Sequence, residues 1–368
     1  PHSELRRISA PLYGCRTWGD LFLLRQRLSL AILGEEITRF VEQKGQKDLL
    51  PLFALAVGKV VRHWNSNARW HTKSENVAGA FGRQAIPMAY LFPEQNPLAC
   101  VGAGCWRDAV TSVSSAARAI VGLENGGQTF RADACDVPLP SESVNVWFTD
   151  PPYYDAVAYG HLAEFFYVWL RRLMPADALF QTDVIDKREE CVVDRPHSQS
   201  PSQKGADWFE VKMGKAMAEG RRLLHRNGVA SVVFAHKTTE GWEAIITAML
   251  KAGWVITASW PIATERGARL NARDNASLAT SVHLICRPRP EDADVGDWSE
   301  VLRELPRRVG SWMELLQGEG VRGADLVFAC LGPALEVFSR YSKVESADGR
   351  EIQLEQYLAK VWEVVGRA

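Results

Sequence analysis

The sequence predicts an α/β fold in which a largely parallel sheet is layered with helices. Three observations carry this. Val144–Thr149 is a short apolar, β-branched and aromatic run that reads as a buried strand, and Asp150-Pro151-Pro152-Tyr153 ends it at once. Proline has no N–H to give to a ladder, so two in succession stop a strand. Val229–Phe234 is a second apolar run, followed by a helical pattern over Trp242–Ala252 that Gly253 closes. Val255–Pro261 and Ser281–Arg287 are two further strands separated by one loop, which predicts an antiparallel pair. Strand, helix, strand, helix and a terminal hairpin is the order of an open α/β sheet.

Composition narrows the class. The 368 residues suffice for one large domain or two ordinary ones, and 46% hydrophobic with 24% charged residues is globular. The net charge of -1 gives no global sign of nucleic acid, so any DNA contact must come from local basic patches. Seven scattered cysteines contain no C-x-x-C pair. We read them as buried thiols in a reducing, cytoplasmic setting, with no metal site. No apolar run is long enough to span a membrane, and no signal peptide opens the chain. Its first residue is proline, which is expected if preceding residues were removed or belong to another piece. Three regions are expected: a helical one over 1–80, a catalytic one over 81–290 and a helical one over 291–368.

In chain order, Leu24, Leu28, Ala31, Ile32, Glu35 and Ile37 mark the first helix, and Leu52–Trp64 a second. The polar stretch after it, with Arg62, Arg69 and His71, is a helix end or a phosphate contact. Val101-Gly102-Ala103-Gly104 holds a G-x-G, but no convincing strand precedes it, so a cofactor role rests on little. Asp108–Val121 is helical. Thr129–Ala134 reads as a short strand ending at Asp133, and a Leu139-Pro140 turn leads into Val144. From His161 the pattern is helical, with Leu162, Phe165, Phe166, Trp169, Leu170 and Leu173 on one face. Residues 174–206 read as a loop or lid. Trp208–Leu224 is a helix that Asn227-Gly228 caps. Thr264–Thr280, with Arg266, Arg269 and Arg273, is either a solvated loop or a surface for nucleic acid. An acidic linker at Glu291–Asp297 precedes helices over Val301–Gln317, Gly332–Tyr341 and Leu354–Val365.

The loop at the end of the Val144 strand is the chief candidate site, because ligands of open α/β sheets gather at the carboxyl ends of strands. It resembles the D-P-P-Y motif of DNA amino-methyltransferases, which methylate adenine N6 or cytosine N4. An exocyclic aromatic amine is a poor nucleophile, its lone pair being delocalised into the ring. Acceptors aimed at both N–H bonds favour the pyramidal amine that attacks a methyl group. Asp150 and the Pro151 carbonyl are expected to supply them, Pro152 to stiffen the loop, and Tyr153 to stack on an extruded base.

The likeness extends to Tyr13–Phe22, Phe81–Met88, Asp150–Arg171, Phe234–Trp242 and Ser259-Trp260-Pro261. Together they resemble a family of bacterial and archaeal adenine-specific DNA methylases, long proteins with a zinc ribbon, some of them in anti-phage loci. The resemblance implies a Rossmann-like class I fold and methyl transfer from S-adenosylmethionine to adenine N6 in DNA, in a restriction-modification or anti-phage setting. It assigns Asp133 and Asp150 to the cofactor, and Tyr154, His236 and Lys237 to the nucleic acid, to which the basic loop adds Arg266, Arg269 and Arg273 as candidate contacts. The family's first half, which holds the glycine-rich loop, the ribose-binding acid and the zinc ribbon, has no counterpart in this sequence. The fold is therefore expected without its first strands, as a fragment, as one polypeptide of a split enzyme, or with the cofactor site lost. The split form, with a partner donating the glycine-rich loop, is the leading expectation. Methylation of RNA remains open, as does a non-catalytic DNA-binding or scaffolding subunit of a defence complex. A protein amide as target is disfavoured by Asp150, since the related loop there begins with Asn.

Overall fold

The computed structural model of the chain describes residues 7–81, 84–99, 102–122, 126–152, 157–193, 204–234, 239–262 and 281–367. It divides into two compact units, each built from two stretches: Pro1–Thr129 with Asp155–Gln203, and Phe130–Tyr154 with Lys204–Ala368. The three regions drawn from sequence are contiguous; these units interleave.

The first unit is helical: α1 (Leu24–Lys44), α2 (Leu50–Val61), a small hairpin of β1 (Arg69–His71) and β2 (Asn76–Ala78), α3 (Trp106–Ile120) and α4 (Tyr159–Leu173). The apolar face predicted for α4 is the one that packs. Leu162, Phe165 and Leu173 are buried, and Phe165 meets Trp18, Phe22 and Phe81 at 5.9, 5.7 and 5.4 Å. Full burial of one such ring stabilises by roughly 1.5–3 kcal/mol. Glu164 on the same helix is buried as well, and it is compensated by Lys187 Nζ and by Trp18 Nε1, which donates at 3.3 Å. The helix expected over this stretch forms as α1, but most of the apolar residues that mark it do not pack. Leu30, Ile37 and Val41 turn inward, a seven- and four-residue spacing, while Leu24, Leu28 and Ile32 lie exposed. Two apolar stripes share this helix, and the period alone does not choose between them.

The second unit is mixed α/β. Its elements are β3 (Val144–Thr149), α5 (Ala206–Leu223), β4 (Leu224–Phe234), α6 (Thr239–Lys251), β5 (Trp254–Ile262), β6 (Ser281–Pro288), β7 (Val295–Asp297), α7 (Trp298–Gly318), α8 (Ala324–Ala329), α9 (Leu331–Ser339), β8 (Lys343–Glu345) and α10 (Leu354–Arg367). The main sheet has the order β3-β4-β6-β5. β3 and β4 are parallel, and β6 lies antiparallel between β4 and β5, so the expected antiparallel pair forms. The residues after 290 fold onto this unit, with β7 and β8 pairing in parallel and Tyr357 stacked on Phe338 at 4.6 Å.

One sheet face is the core. Ala230, Val232, Leu284, Cys286, Trp254 and Ile256 are fully buried there. Trp147 stacks on Trp254 at 5.3 Å and lies against Gly220 of α5, where a Cβ would collide with its ring. The other face carries Val146, Phe148, Trp260 and Ile262, all exposed.

Four expectations need correction. β3 is an exposed edge strand rather than a buried one, because no described strand lies beyond it and its outward residues Val146 and Phe148 face solvent. No strand forms over 129–134; Asp133 sits in a turn, bridged only to Asp136. Asn227-Gly228 does not cap a helix, for α5 passes directly into β4 and the pair lies within that strand. There the register with β3 shifts, and a Cβ on Gly228 would stand 2.9 Å from Asn145 O. Of the six described cysteines, none is in a disulfide, but only Cys105, Cys286 and Cys330 are buried; Cys15, Cys135 and Cys191 are half-buried.

Candidate active site

Asp150 follows the last residue of β3 and is exposed, with Pro151 buried and Pro152 half-buried behind it. The strand delivers the carboxylate to the carboxyl edge of the sheet, and the prolines remove the freedom by which it would swing back. Tyr153, Tyr154, His236, Lys237, Arg266, Arg269 and Arg273 lie outside the described residues.

Asp133 reaches the same end of the sheet by another route. The segment from Asp133 to Glu142 runs down α5, tied at three levels. Lys212 Nζ donates to Asp133 at 2.8 Å, Val137 N to Glu219 at 2.8 Å, and Arg222 to Glu219 and to the carbonyls of Val137 and Leu139. Lys212 lies eleven residues before the end of α5, about 16 Å along its axis. The rise of β3 is of similar size, about 17 Å. Asp133 and Asp150 are therefore at like heights, although Asp133 ends no strand.

Electrostatics distinguishes these groups. The Lys212 ammonium, and then the Cys135 N–H at 2.9 Å, hold the Asp133 carboxyl below the usual range. The Cys135 thiol is pushed up to about 11, mainly by burial and then by its hydrogen bond with Asp133. It is a neutral thiol, with no nucleophile's character.

Beside β3 lies a residue that sequence reasoning missed. His283 of β6 stands with its ring 5.9 Å from Phe148 and its Nδ1 3.3 Å from Ser231 Oγ. Burial lowers its pKa, against an opposing pull from the Asp150 charge, so the imidazole is neutral near pH 7. A signal existed: in S-V-H-L-I-C, Val282, Leu284 and Cys286 alternate inward, which puts the single histidine on the outward face.

The Asp150 carboxylate and the Pro151 carbonyl are hydrogen-bond acceptors by their chemistry. Asp133, the one described acid assigned to the cofactor alone, is already engaged by Lys212 and Cys135. The G-x-G turn at Gly102 and Gly104 does open a helix, α3, and both residues have positive φ. Its space is filled, however. A Cβ on Gly104 would lie 2.6 Å from His63, and Trp64 Nε1 donates to Gly104 O at 2.9 Å. Gly104 thus serves close packing on His63 and Trp64, just after α2. Among the described residues no three His, Cys, Asp or Glu converge as metal ligands, and no helix is long and apolar enough to cross a membrane. No protein-family model, no curated protein and no solved structure matches the chain.

Proposed function

We propose that the chain is the base-binding, catalytic part of a DNA methyltransferase acting on adenine N6, with S-adenosylmethionine as methyl donor held largely by another polypeptide segment. The observation that carries this is Asp150-Pro151-Pro152 at the carboxyl end of an exposed edge strand. The Asp150 carboxylate and the Pro151 carbonyl are two fixed acceptors for the two N–H bonds of one amine. Fixed polar groups of this kind are worth about 3–4 kcal/mol in a transition state. A parallel β3–β4 pair ended by a reversed hairpin fits the second half of a class I sheet. The outer edge of β3 is where missing strands would join, and its exposed Val146 and Phe148 suit such pairing. The engaged Asp133 and the filled G-x-G turn support a cofactor cradle supplied from elsewhere.

In the reconstituted assembly, Asp150→Ala should lower N6-methyladenine formation at least about a hundredfold. Co-purification of the subunits should be unchanged. Undiminished methylation would refute the assignment of Asp150. Robust methylation by the purified single chain would refute the need for a partner. The engagement of Asp133 by Lys212 also favours a second reading, a non-catalytic DNA-binding subunit. DNA binding by the wild-type assembly without any methylation would select it.

A further inference from the structure

At the opposite end of the sheet from Asp150, three arginines converge on a cavity of about 430 Å³ lined also by Ala252, Gly253 and Ser342. It lies where α5 ends and β5 begins, at the level of Leu224, which pairs with Val144; that is about 20 Å along β3 from the D-P-P loop. Arg222 is spoken for, since Glu219 pairs with it at 2.7 Å. Arg221 and Arg289 are not. Neither has a described carboxylate within ion-pair distance, and Glu291, which lines the same cavity, pairs with neither.

The two guanidiniums are nevertheless fixed. Arg289 donates to the carbonyls of Tyr341, Leu250 and Ser339 at 3.0, 3.2 and 3.3 Å. Arg221 Nη2 donates to Arg289 O at 3.2 Å, which holds it beside its like-charged neighbour. A clamp on helix ends explains Arg289; it does not explain a second cation beside it. Burial, and next the Arg221 charge, depress the Arg289 pKa.

We propose that this cavity binds a phosphate group. A dianionic tetrahedral oxyanion matches two guanidiniums in charge and offers several acceptors to donors already in place. The volume exceeds that of the bare anion and suits an ester of nucleotide size. The site is independent of the methyltransferase reading.

The test is calorimetric titration of the intact chain with inorganic phosphate at constant ionic strength, chloride serving as control. One saturable site is expected, weakened about tenfold or more by Arg221→Met, which keeps the apolar stem. Arg303→Met, on an exposed part of α7, should leave binding unchanged. Arg221 makes one hydrogen bond, so the fold should survive, and circular dichroism checks that. Two further arms separate the sources: a mononucleotide, and an oligonucleotide lacking terminal phosphates. Tighter binding of the mononucleotide assigns a small ester, and of the oligonucleotide the DNA backbone. Phosphate binding no stronger than chloride, or equal binding by Arg221→Met, would overturn the proposal.

Discussion

The main sheet has two edges, and they are finished differently. Along β5 the chain closes its own edge. Ser259 Oγ donates to Ala329 O and accepts from Gly332 N at 2.9 Å, and Ile256 N donates to Ser339 Oγ at 3.1 Å. Two short helices thereby satisfy strand atoms that would otherwise face water or another sheet. Along β3 no described strand pairs, and Val146 and Phe148 are 66% and 62% exposed. A bare apolar edge is a template for pairing, and proteins ordinarily blunt theirs with charge, proline or cover. Among the described residues the cover is on one side only. The contrast teaches that closure is within this sequence's means, which makes the open edge a feature to explain by what joins it.

The largest effect is expected at the closed edge. Gly332 lies directly on the β5 backbone, where a Cβ would collide with Ala258 C and Ser259 N and stand 2.7 Å from Ala258 O. Gly332→Ala must push α9 away from β5 and loosen the three hydrogen bonds together. A loss of about 3 kcal/mol is expected, at the upper end of ordinary overpacking. In a unit of this size that lowers Tm by roughly 6–12 °C, measured by calorimetry. A melt unchanged within a degree would show that the closure yields freely.

An intermediate effect should separate the edges by pH. The segment leading into β3 is fastened to α5 by carboxylates. Glu219 is lowered to about 2, first by the Arg222 guanidinium and then, past the opposing cost of burial, by Val137 N–H. Asp133 is lowered by Lys212. Both folded-state values lie below the unfolded ones, so their stabilisation is complete above about pH 4.5 and is lost as pH falls through the folded values. The closure of β5 uses hydroxyl and amide groups, which do not titrate there. Hydrogen exchange at Val137, corrected for intrinsic rate, should accelerate between about pH 6 and pH 3 while Ile256 holds. Equal acceleration at both would mean that the unit opens as a whole.

What the sequence made legible follows from how local each signal is. The D-P-P stop, the α4 stripe and the β5–β6 hairpin are set by residues near one another in the chain, and the structure has them. The exposure of β3 is not legible in the sequence, because an apolar run shows that a strand exists and is silent about its neighbours. Thr129–Ala134 has strand composition but no partner to ladder with, and the side chains of Lys212, Glu219 and Arg222 take its continuation instead. Asn227-Gly228 reads as a cap from its residue types, yet the close approach of Asn145 O decides its role. His283 belongs to the site only through pairing across strands, a contact between positions more than fifty residues apart from Ser231.

The smallest effect on the chain itself should come from charging the open edge. Val146 is 66% exposed and has little covered contact to lose, and lysine is the residue that natural edges use against unwanted pairing. Val146→Lys should therefore change the stability of the isolated chain by no more than about 0.5 kcal/mol, the range of surface substitutions. Its effect on assembly should be the reverse. A strand added beside β3 would bury that position, and an unpaired ammonium there resists burial. Co-purification with a partner, and with it methylation, should be lost while the melt of the single chain is kept. If the substitution instead unfolds the isolated chain, Val146 is covered by residues of its own chain and the edge is not open. If the melt is kept and the assembly forms and methylates as before, the partner joins elsewhere, and β3 is an exposed edge with no role in completing the site.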